Sequence, residues 1–317
     1  MRLWGLIKGT QRNYYVVEGE KALDGEPVPD MEERGKEGAN QYVYWVCNSP
    51  LDEWSQLPDL SPQDILNARC IRTTFTGDLD ALIYTNPFYF QTEKVYLRAQ
   101  IARITASTTL VQKDKMQFVE ETDEREVKEK EAEEDKPLVI PTVKQMGSLS
   151  MWCHLSPAIL NQGRVKHGEA KPIEGVEEDD LKKREIAKDP WTPRLKSVEL
   201  DAKTRGKMPA WCIRSYDTYD TFKNGKGGDQ LNYGTVVVKS MWWPGSYTFY
   251  NNSKTSQIYC GDGLKHELPS AKYYPILPPV MLEDREEKKC YDEPNPTPEW
   301  LAAKAALEAK KADAPAE

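Results

Sequence analysis

One segment of the chain, residues 119–136, cannot join a hydrophobic core. Its sequence, VEETDEREVKEKEAEEDK, includes ten acidic and four basic side chains. Charged side chains are almost never fully buried unless they are paired, so this segment has to stay in contact with water. A solvated helix or a disordered linker meets that requirement. The alternative with a specific function is an acidic segment that binds a partner. The segment therefore splits the chain into two halves.

The 317 residues fit one large domain or two ordinary ones. We predict a β-rich N-terminal half over residues 1–118 and an acidic linker over residues 119–141. A C-terminal half with a helix and an antiparallel meander follows over residues 142–282, and residues 283–317 form a polar tail with an Ala- and Lys-rich helix. The predicted fold class is α+β, with an antiparallel β-rich core, a few short helices and acidic flexible loops.

Local patterns place several elements in the first half. Ser61 and Pro62 predict a helix start, because serine caps the first free N–H groups and proline fits the first turn. Residues Tyr96–Ile104 (YLRAQIARI) fit both a helix face and a strand face, and the β-branched residues that follow favour one long strand through Val111. Aromatic and β-branched runs predict three further strands, at Leu3–Gly9, Tyr14–Gly19 and Tyr42–Cys47.

The second half begins with a predicted helix over Ser148–Gly163, which Pro157 should kink. A second charged loop is expected over residues 169–189. Pro244-Gly245 fits the centre of a type II turn, which predicts a wide corner between two strands. The meander around this corner is predicted to contain the strands Thr235–Trp243, Ser246–Tyr250 and Gln257–Cys260.

Charge and composition exclude several classes of function. The net charge is −8, and an acidic protein repels the phosphate backbone of nucleic acids. The six cysteines include no pair at zinc-ligand spacing, so we expect free thiols in a reducing compartment. No stretch is apolar for long enough to cross a membrane. Met1–Lys8 reaches a charge after a short apolar run and is not expected to be a secretory signal.

No catalytic, cofactor-binding or metal-binding residue is predicted. Residues 224–228 (NGKGG) lack the spacing of a phosphate-binding loop, and Phe222 stands where a calcium loop needs an oxygen ligand. Cys153 and His154 are neighbours, and adjacent side chains on a helix do not form a nucleophile–base pair. An enzyme built on this scaffold would need a buried acid or cysteine beside a histidine in a concave pocket. The chain has three histidines, which are His154, His167 and His266.

Two adjacent tryptophans, Trp242 and Trp243, could form a ligand platform, a docking surface or part of the core. Strand alternation places Trp242 on the face of Val236 and Val238, and we therefore predict that Trp242 is the more buried indole. A carbohydrate- or peptide-binding module would use whichever indole is exposed. The candidate residues for a partner interface or for packing are Trp4, Trp152, Trp191, Trp242, Trp243 and Trp300.

Several short motifs are distributed along the chain. They include residues 2–5 (RLWG), Phe75–Ala81 (FTGDLDA) and Tyr96–Ile104, and they continue through residues 191–195 (WTPRL) to residues 243–245 (WPG). Together these motifs resemble the family of radial spoke head proteins 4 and 6 of ciliary axonemes. The motifs occur in the family's order over nearly all of residues 1–282.

The resemblance implies a non-enzymatic structural subunit of the spoke head, which passes mechanical signals between central-pair projections and dynein in motile cilia and flagella. It implies other spoke head and stalk proteins, a paralogue or a second copy, and the central-pair projections as partners. It implies no cofactor, and it places the protein in the cytoskeleton of the axoneme. A ligand- or peptide-binding module and an enzyme on the same scaffold stay open as alternatives.

Overall fold

The computed structural model describes residues 1–20, 33, 35, 38–85, 91–119, 126–130, 141–167, 178–188, 194–204, 210–216, 234–251, 254–266 and 298–312. The chain forms two compact units, Met1–Glu267 and Leu268–Glu317. The second unit contains one described helix, and all other described elements belong to the first.

Twelve strands and six helices are described. The strands are β1 (Arg2–Ile7), β2 (Tyr14–Glu20), β3 (Tyr42–Cys47), β4 (Ser55–Gln56), β5 (Leu110–Gln112), β6 (Met116–Phe118), β7 (Val127–Glu129), β8 (Trp152–His154), β9 (Trp211–Tyr216), β10 (Thr235–Ser240), β11 (Ser246–Asn251) and β12 (Lys254–Gly261). The helices are α1 (Pro62–Cys70), α2 (Glu93–Thr108), α3 (Val143–Met146), α4 (Glu178–Lys188), α5 (Glu199–Thr204) and α6 (Pro298–Ala312).

Eight of the strands form one sheet, in the order β4-β3-β2-β1-β12-β11-β10-β9. Strands β1–β4 form one antiparallel meander and β9–β12 form another. The two meanders join where β1 pairs with β12 in parallel. This arrangement confirms the predicted α+β class with an antiparallel β-rich core, whereas the division of the chain at residues 119–141 stays a prediction.

Several local predictions are confirmed. The predicted strands of the first half correspond to β1, β2 and β3, and those of the second half to β10, β11 and β12. Helix α1 begins with the predicted cap, because the Ser61 side chain accepts from the Asp64 N–H and the Asp64 carboxylate accepts from the Ser61 N–H. Helix α6 begins at Pro298, within the tail where an Ala- and Lys-rich helix is predicted.

The strand predicted at Tyr96–Val111 is wrong, because these residues form most of α2 and then the short strand β5. Every residue from Tyr96 to Ile104 is buried, so the helix shows no polar face and the 3.6-residue period is hidden. The side-chain hydroxyl groups at the C-terminal end of the helix find acceptors within the helix itself. Ser107, Thr108 and Thr109 donate to the carbonyls of Arg103, Ile104 and Thr105.

The helix predicted over Ser148–Gly163 is also wrong. A short 3-10 turn covers Leu149–Met151, and the chain then becomes β8, which pairs antiparallel with β5. The Trp152 side chain is fully buried and its indole N–H donates to the Met146 carbonyl. Pairing with a distant strand therefore overrides the local helical pattern.

The two charged segments are more ordered than predicted where the structure describes them. Residues Val127–Glu129 of the acidic segment form β7, which pairs antiparallel with β6. The solvated helix and the disordered linker expected there are therefore both wrong at these three positions. Within the loop expected over residues 169–189, α4 covers Glu178–Lys188. The remaining residues of both segments lie outside the described ranges.

Two hydrophobic clusters lie on the inner face of the sheet. The first packs α1 and α2 against β1–β3, and it includes Trp243 and Tyr259 from the C-terminal meander. The second packs Trp152, Val198 and Trp211 against β10 and β11. Trp242 is partly buried against both clusters. Among the described helices, none has the length and apolar character needed to cross a membrane.

Candidate functional site

Three of the six candidate tryptophans are core residues. Trp152 and Trp243 are at most 1% exposed, and Trp4 is 7% exposed. The Trp4 indole donates to Thr105 Oγ1 on α2 at 3.0 Å and packs 5.2 Å from the Tyr259 ring. Trp300 on α6 is 46% exposed, whereas Trp191 lies outside the described residues.

The assignment of the adjacent indoles is wrong, because Trp243 is the buried one and Trp242 is partly exposed. Strand β10 ends at Ser240, so the alternation of a strand does not extend to the tryptophans. Trp243 turns instead beneath α2, where the Arg103 guanidinium lies 5.3 Å from the centre of its ring. Its burial removes Trp243 as an exposed platform for a sugar or peptide.

The corner after these tryptophans has the predicted form. The Ser246 N–H donates to the Trp243 carbonyl at 3.0 Å, and Gly245 has a φ of 103°. A positive φ at the third residue defines a type II turn and favours glycine there. A Cβ atom at Gly245 would also lie 2.4 Å from the Cys260 carbonyl oxygen.

Helix α2 begins at a buried carboxylate, Glu93, that holds three distant segments together. It accepts from the Tyr14 hydroxyl at 2.7 Å, from the Thr76 hydroxyl at 2.8 Å and from the Thr76 and Gly77 N–H groups. Burial, followed by the hydrogen bond to Glu93, raises the pKa of Tyr14, so the phenol stays protonated and donates. The carboxylate therefore fixes the FTGDLDA loop against β2 and the start of α2.

The middle of α2 carries a buried cation, Arg98. Its guanidinium lies 4.7 Å from the centre of the Tyr44 ring and donates to the carbonyls of Ala39 and Tyr42 and to Asn40 Oδ1. Burial lowers the pKa of Arg98, and the nearby Tyr44 partly opposes that effect. The cation thus organises the loop that leads into β3.

The second half of α2 is tied to α1 and to the segment that follows β12. Gln100 donates to the Gly263 carbonyl at 2.9 Å, and Arg103 donates to the Ala68 carbonyl at 3.0 Å. Arg103 also donates to Gln100 Oε1 at 2.6 Å. The polar residues of the YLRAQIARI motif are therefore engaged with backbone carbonyls and with each other, which is a structural use and leaves the bonded groups unavailable for chemistry.

A second polar cluster, absent from the sequence-based predictions, joins His154, Asp201 and Trp211. Asp201 Oδ2 lies 2.7 Å from His154 Nε2 and accepts from the Trp211 indole at 3.0 Å. Burial by itself raises the pKa of Asp201, but the hydrogen bond and charge of His154, with the hydrogen bond from Trp211, hold it below its usual value. The spacing of these residues along the chain gives no local signal, because β8, α5 and β9 meet only in the folded unit.

This cluster does not complete a nucleophile. Burial raises the pKa of the neighbouring Cys153 thiol, which keeps it protonated and weakly reactive. His266 is exposed, 3.8 Å from the Asp262 carboxylate. In the part of the chain that the structure describes, no group of three or more His, Cys, Asp or Glu residues is placed to hold a metal ion.

The Asp201 cluster predicts acid-sensitive stability. Because the folded pKa of Asp201 lies below its unfolded value of 3.8, its contribution is complete above that value and is lost as the pH falls through the folded pKa. Asp201→Asn should therefore lower the free energy of unfolding at pH 7 by about 1–3 kcal/mol and flatten its fall below about pH 4. Urea unfolding across this pH range measures both effects.

Asp180→Asn on α4 is the matched control, since this aspartate is exposed and contacts Lys183 at 3.4 Å. It should change the free energy of unfolding by less than about 0.5 kcal/mol. An Asp201→Asn variant whose pH profile equals that of the parent chain would contradict the assigned role of the cluster.

The face of the sheet that points away from α2 is a different kind of surface. We call outer face the side of β9–β12 that carries Val237, Lys239, Tyr247, Phe249 and Ile258, which are all partly exposed. Val237 lies opposite Phe249, and Lys239 lies opposite Tyr247, which in turn lies opposite Ile258. The outer face therefore joins aliphatic and aromatic side chains across neighbouring strands, which is the composition of a protein contact surface.

The family model and the individual relatives that match this chain all name radial spoke proteins. The family model described as radial spokehead-like protein matches residues 21–300. The chain is 32% identical over 335 residues to human radial spoke head protein 4 homolog A, covering 89% of this chain and 44% of that protein. It is 31% identical over 269 residues to flagellar radial spoke protein 4 of Chlamydomonas reinhardtii, covering 84% of this chain and 53% of that protein.

A third relative is radial spoke head protein 6 homolog A of Xenopus tropicalis, at 35% identity over 251 residues, or 76% of this chain and 46% of that protein. The chain thus spans about half the length of the relatives it matches. Radial spoke proteins are components of the axoneme, the cytoskeletal structure of cilia and flagella. Because the family model matches most of its residues, this chain belongs to the radial spokehead-like protein family.

Proposed function

We propose that this chain is a non-enzymatic structural subunit of the axonemal radial spoke head. The observation that carries the proposal is the match of residues 21–300 to the radial spokehead-like family. The structure supports it, because the buried polar groups of α2 bind backbone carbonyls and the Glu93 carboxylate binds backbone N–H groups. Such groups fix the position of loops, as a scaffold requires.

Within the spoke head, we propose that the subunit passes mechanical signals between the central-pair projections and dynein. Its partners would be other spoke head and stalk proteins, including a paralogue or a second copy. The acidic residues 119–136 would keep the contact with the central pair weak and repulsive, so that repeated contacts do not become permanent. Salt screens such repulsion, so the strength of this contact should change with ionic strength.

Placement of the chain in intact axonemes tests the function. A tagged full chain would be expressed in ciliated cells that lack their own family member, and the tag would be located by electron tomography of the axoneme. We expect density at the head of the spoke and recovery of normal beating. A tag that stays outside the axoneme while the missing spoke heads remain absent would contradict the proposal.

A further inference from the structure

The outer face of β9–β12 has a charge opposite to that of the whole chain. The chain contains 51 acidic and 43 basic residues, yet these four strands contain no Asp or Glu. Their three basic residues all belong to the outer face, because the register places Arg214, Lys239 and Lys254 opposite Val237, Tyr247 and Asn251. The acidic protein therefore presents a locally positive strip on this sheet.

Aromatic rings lie between these cations. The Tyr247 and Phe249 rings are 6.3 Å apart and nearly parallel, with an angle of 23° between their planes. Lys239 Nζ lies 5.8 Å from the centre of the Tyr247 ring. Partly exposed aromatic rings beside partly or fully exposed cations favour binding of an apolar anchor together with anionic groups.

We propose that the outer face docks an acidic polypeptide segment with apolar side chains, supplied by another radial spoke protein. In an extended segment, side chains alternate between the two sides, so apolar residues can contact Tyr247 and Phe249 while nearby carboxylates reach Arg214, Lys239 and Lys254. This inference rests on the proposed place of the chain in the spoke head.

Charge also argues against two other occupants. A face-to-face pair of identical chains would bring Arg214, Lys239 and Lys254 of one copy close to the same cations of the other, and like charges in contact are unfavourable. A nucleic acid would meet the negative field of the remaining chain beyond this strip. An acidic protein segment is short enough to stay on the strip itself.

Native cysteines allow the docked face to be detected without mutation. Cys260 is exposed on the outer face, Cys212 lies beside Lys239, and Cys70 is exposed at the end of α1. Labelling with a maleimide, followed by mass spectrometry of each peptide, would be compared between the free full chain and assembled spoke heads. We expect slower labelling of Cys260 and Cys212 in spoke heads, while Cys70 reports the access of the reagent.

A binding assay tests the chemistry of the occupant. The probe is a labelled synthetic peptide in which Glu alternates with Leu and Trp, and the matched peptide carries Lys in place of Glu. The full chain should bind the acidic peptide more tightly, and the double variant Arg214→Glu, Lys239→Glu should weaken that binding by about tenfold at low salt. The control Lys113→Glu, Lys144→Glu makes the same charge change at exposed sites outside the outer face, and it should keep most of the binding.

These measurements separate the inference from the proposed function. A chain that enters the spoke head but shows Cys260 labelling at the free rate would overturn the docking surface and leave the function intact. Protection of Cys260 in the purified chain that increases with its concentration would also overturn it, in favour of self-association. Equal binding of the acidic and basic peptides would refute the role of charge.

Discussion

Replacing Glu93 with alanine is expected to destabilise the first unit by about 3–5 kcal/mol. The side chain is 3% exposed, and its loss leaves the Tyr14 hydroxyl, the Thr76 hydroxyl and two backbone N–H groups without their acceptor. Water cannot easily replace that acceptor at a buried site. The free energy of unfolding, measured by urea denaturation with tryptophan fluorescence, gives the size of the loss.

Glu93→Gln separates the lost acceptors from the lost volume. Glutamine keeps one oxygen in nearly the same place but points an NH₂ group at one of the donors, so we expect a loss between those of the parent chain and Glu93→Ala. Thr76→Ala removes a single partner and should cost about 1 kcal/mol. If Glu93→Ala and Thr76→Ala were equally stable, Glu93 would not be the residue that holds these segments together.

The two adjacent tryptophans offer a direct comparison of burial. Trp243→Ala should lower the free energy of unfolding by about 3–5 kcal/mol, because it leaves a large cavity and removes the ring beneath Arg103. Trp242→Ala should cost about 1–2 kcal/mol, since this ring is already partly in water. The same denaturation experiment measures both variants. The expected result is a larger loss of unfolding free energy for Trp243→Ala than for Trp242→Ala.

Trp243→Phe provides the control for the polar edge of the ring. The Trp243 indole N–H has no hydrogen-bond partner among the described residues, so its removal costs no hydrogen bond there. We expect the phenylalanine variant to lose less than half of what the alanine variant loses. A larger loss from Trp242→Ala than from Trp243→Ala would restore the assignment that strand alternation predicts.

Local chemistry made much of the fold predictable. Capping by Ser61 and the turn at Pro244-Gly245 depend on neighbouring residues alone, and both were predicted correctly. Strands β1–β3 and β10–β12 follow from β-branched and aromatic runs in the same way, whereas β4, with the sequence Ser-Gln, does not. These elements share one property, since the residues that determine them lie within a few positions in the sequence.

The errors occur where distant residues decide the structure. Helix α2 is buried from Tyr96 to Ile104, so its sequence has no solvent-facing side to reveal the helical period. The strand conformation at Trp152 depends on pairing with β5. The burial of Trp243 depends on packing against Arg103 of α2. The Asp201 cluster could not be predicted either, because its three residues come from separate elements.

The parallel pairing of β1 with β12 determines how the first unit would bear tension along the chain. Both strands run in the same direction, so the start of β1 and the end of β12 lie at opposite ends of the pair. A pull that separates these ends would slide the strands past each other and load their hydrogen bonds together, in shear. An antiparallel pair at this position would place both ends on one side. Its hydrogen bonds would then be loaded and broken one at a time. The terminal strands therefore meet in the geometry that resists tension better.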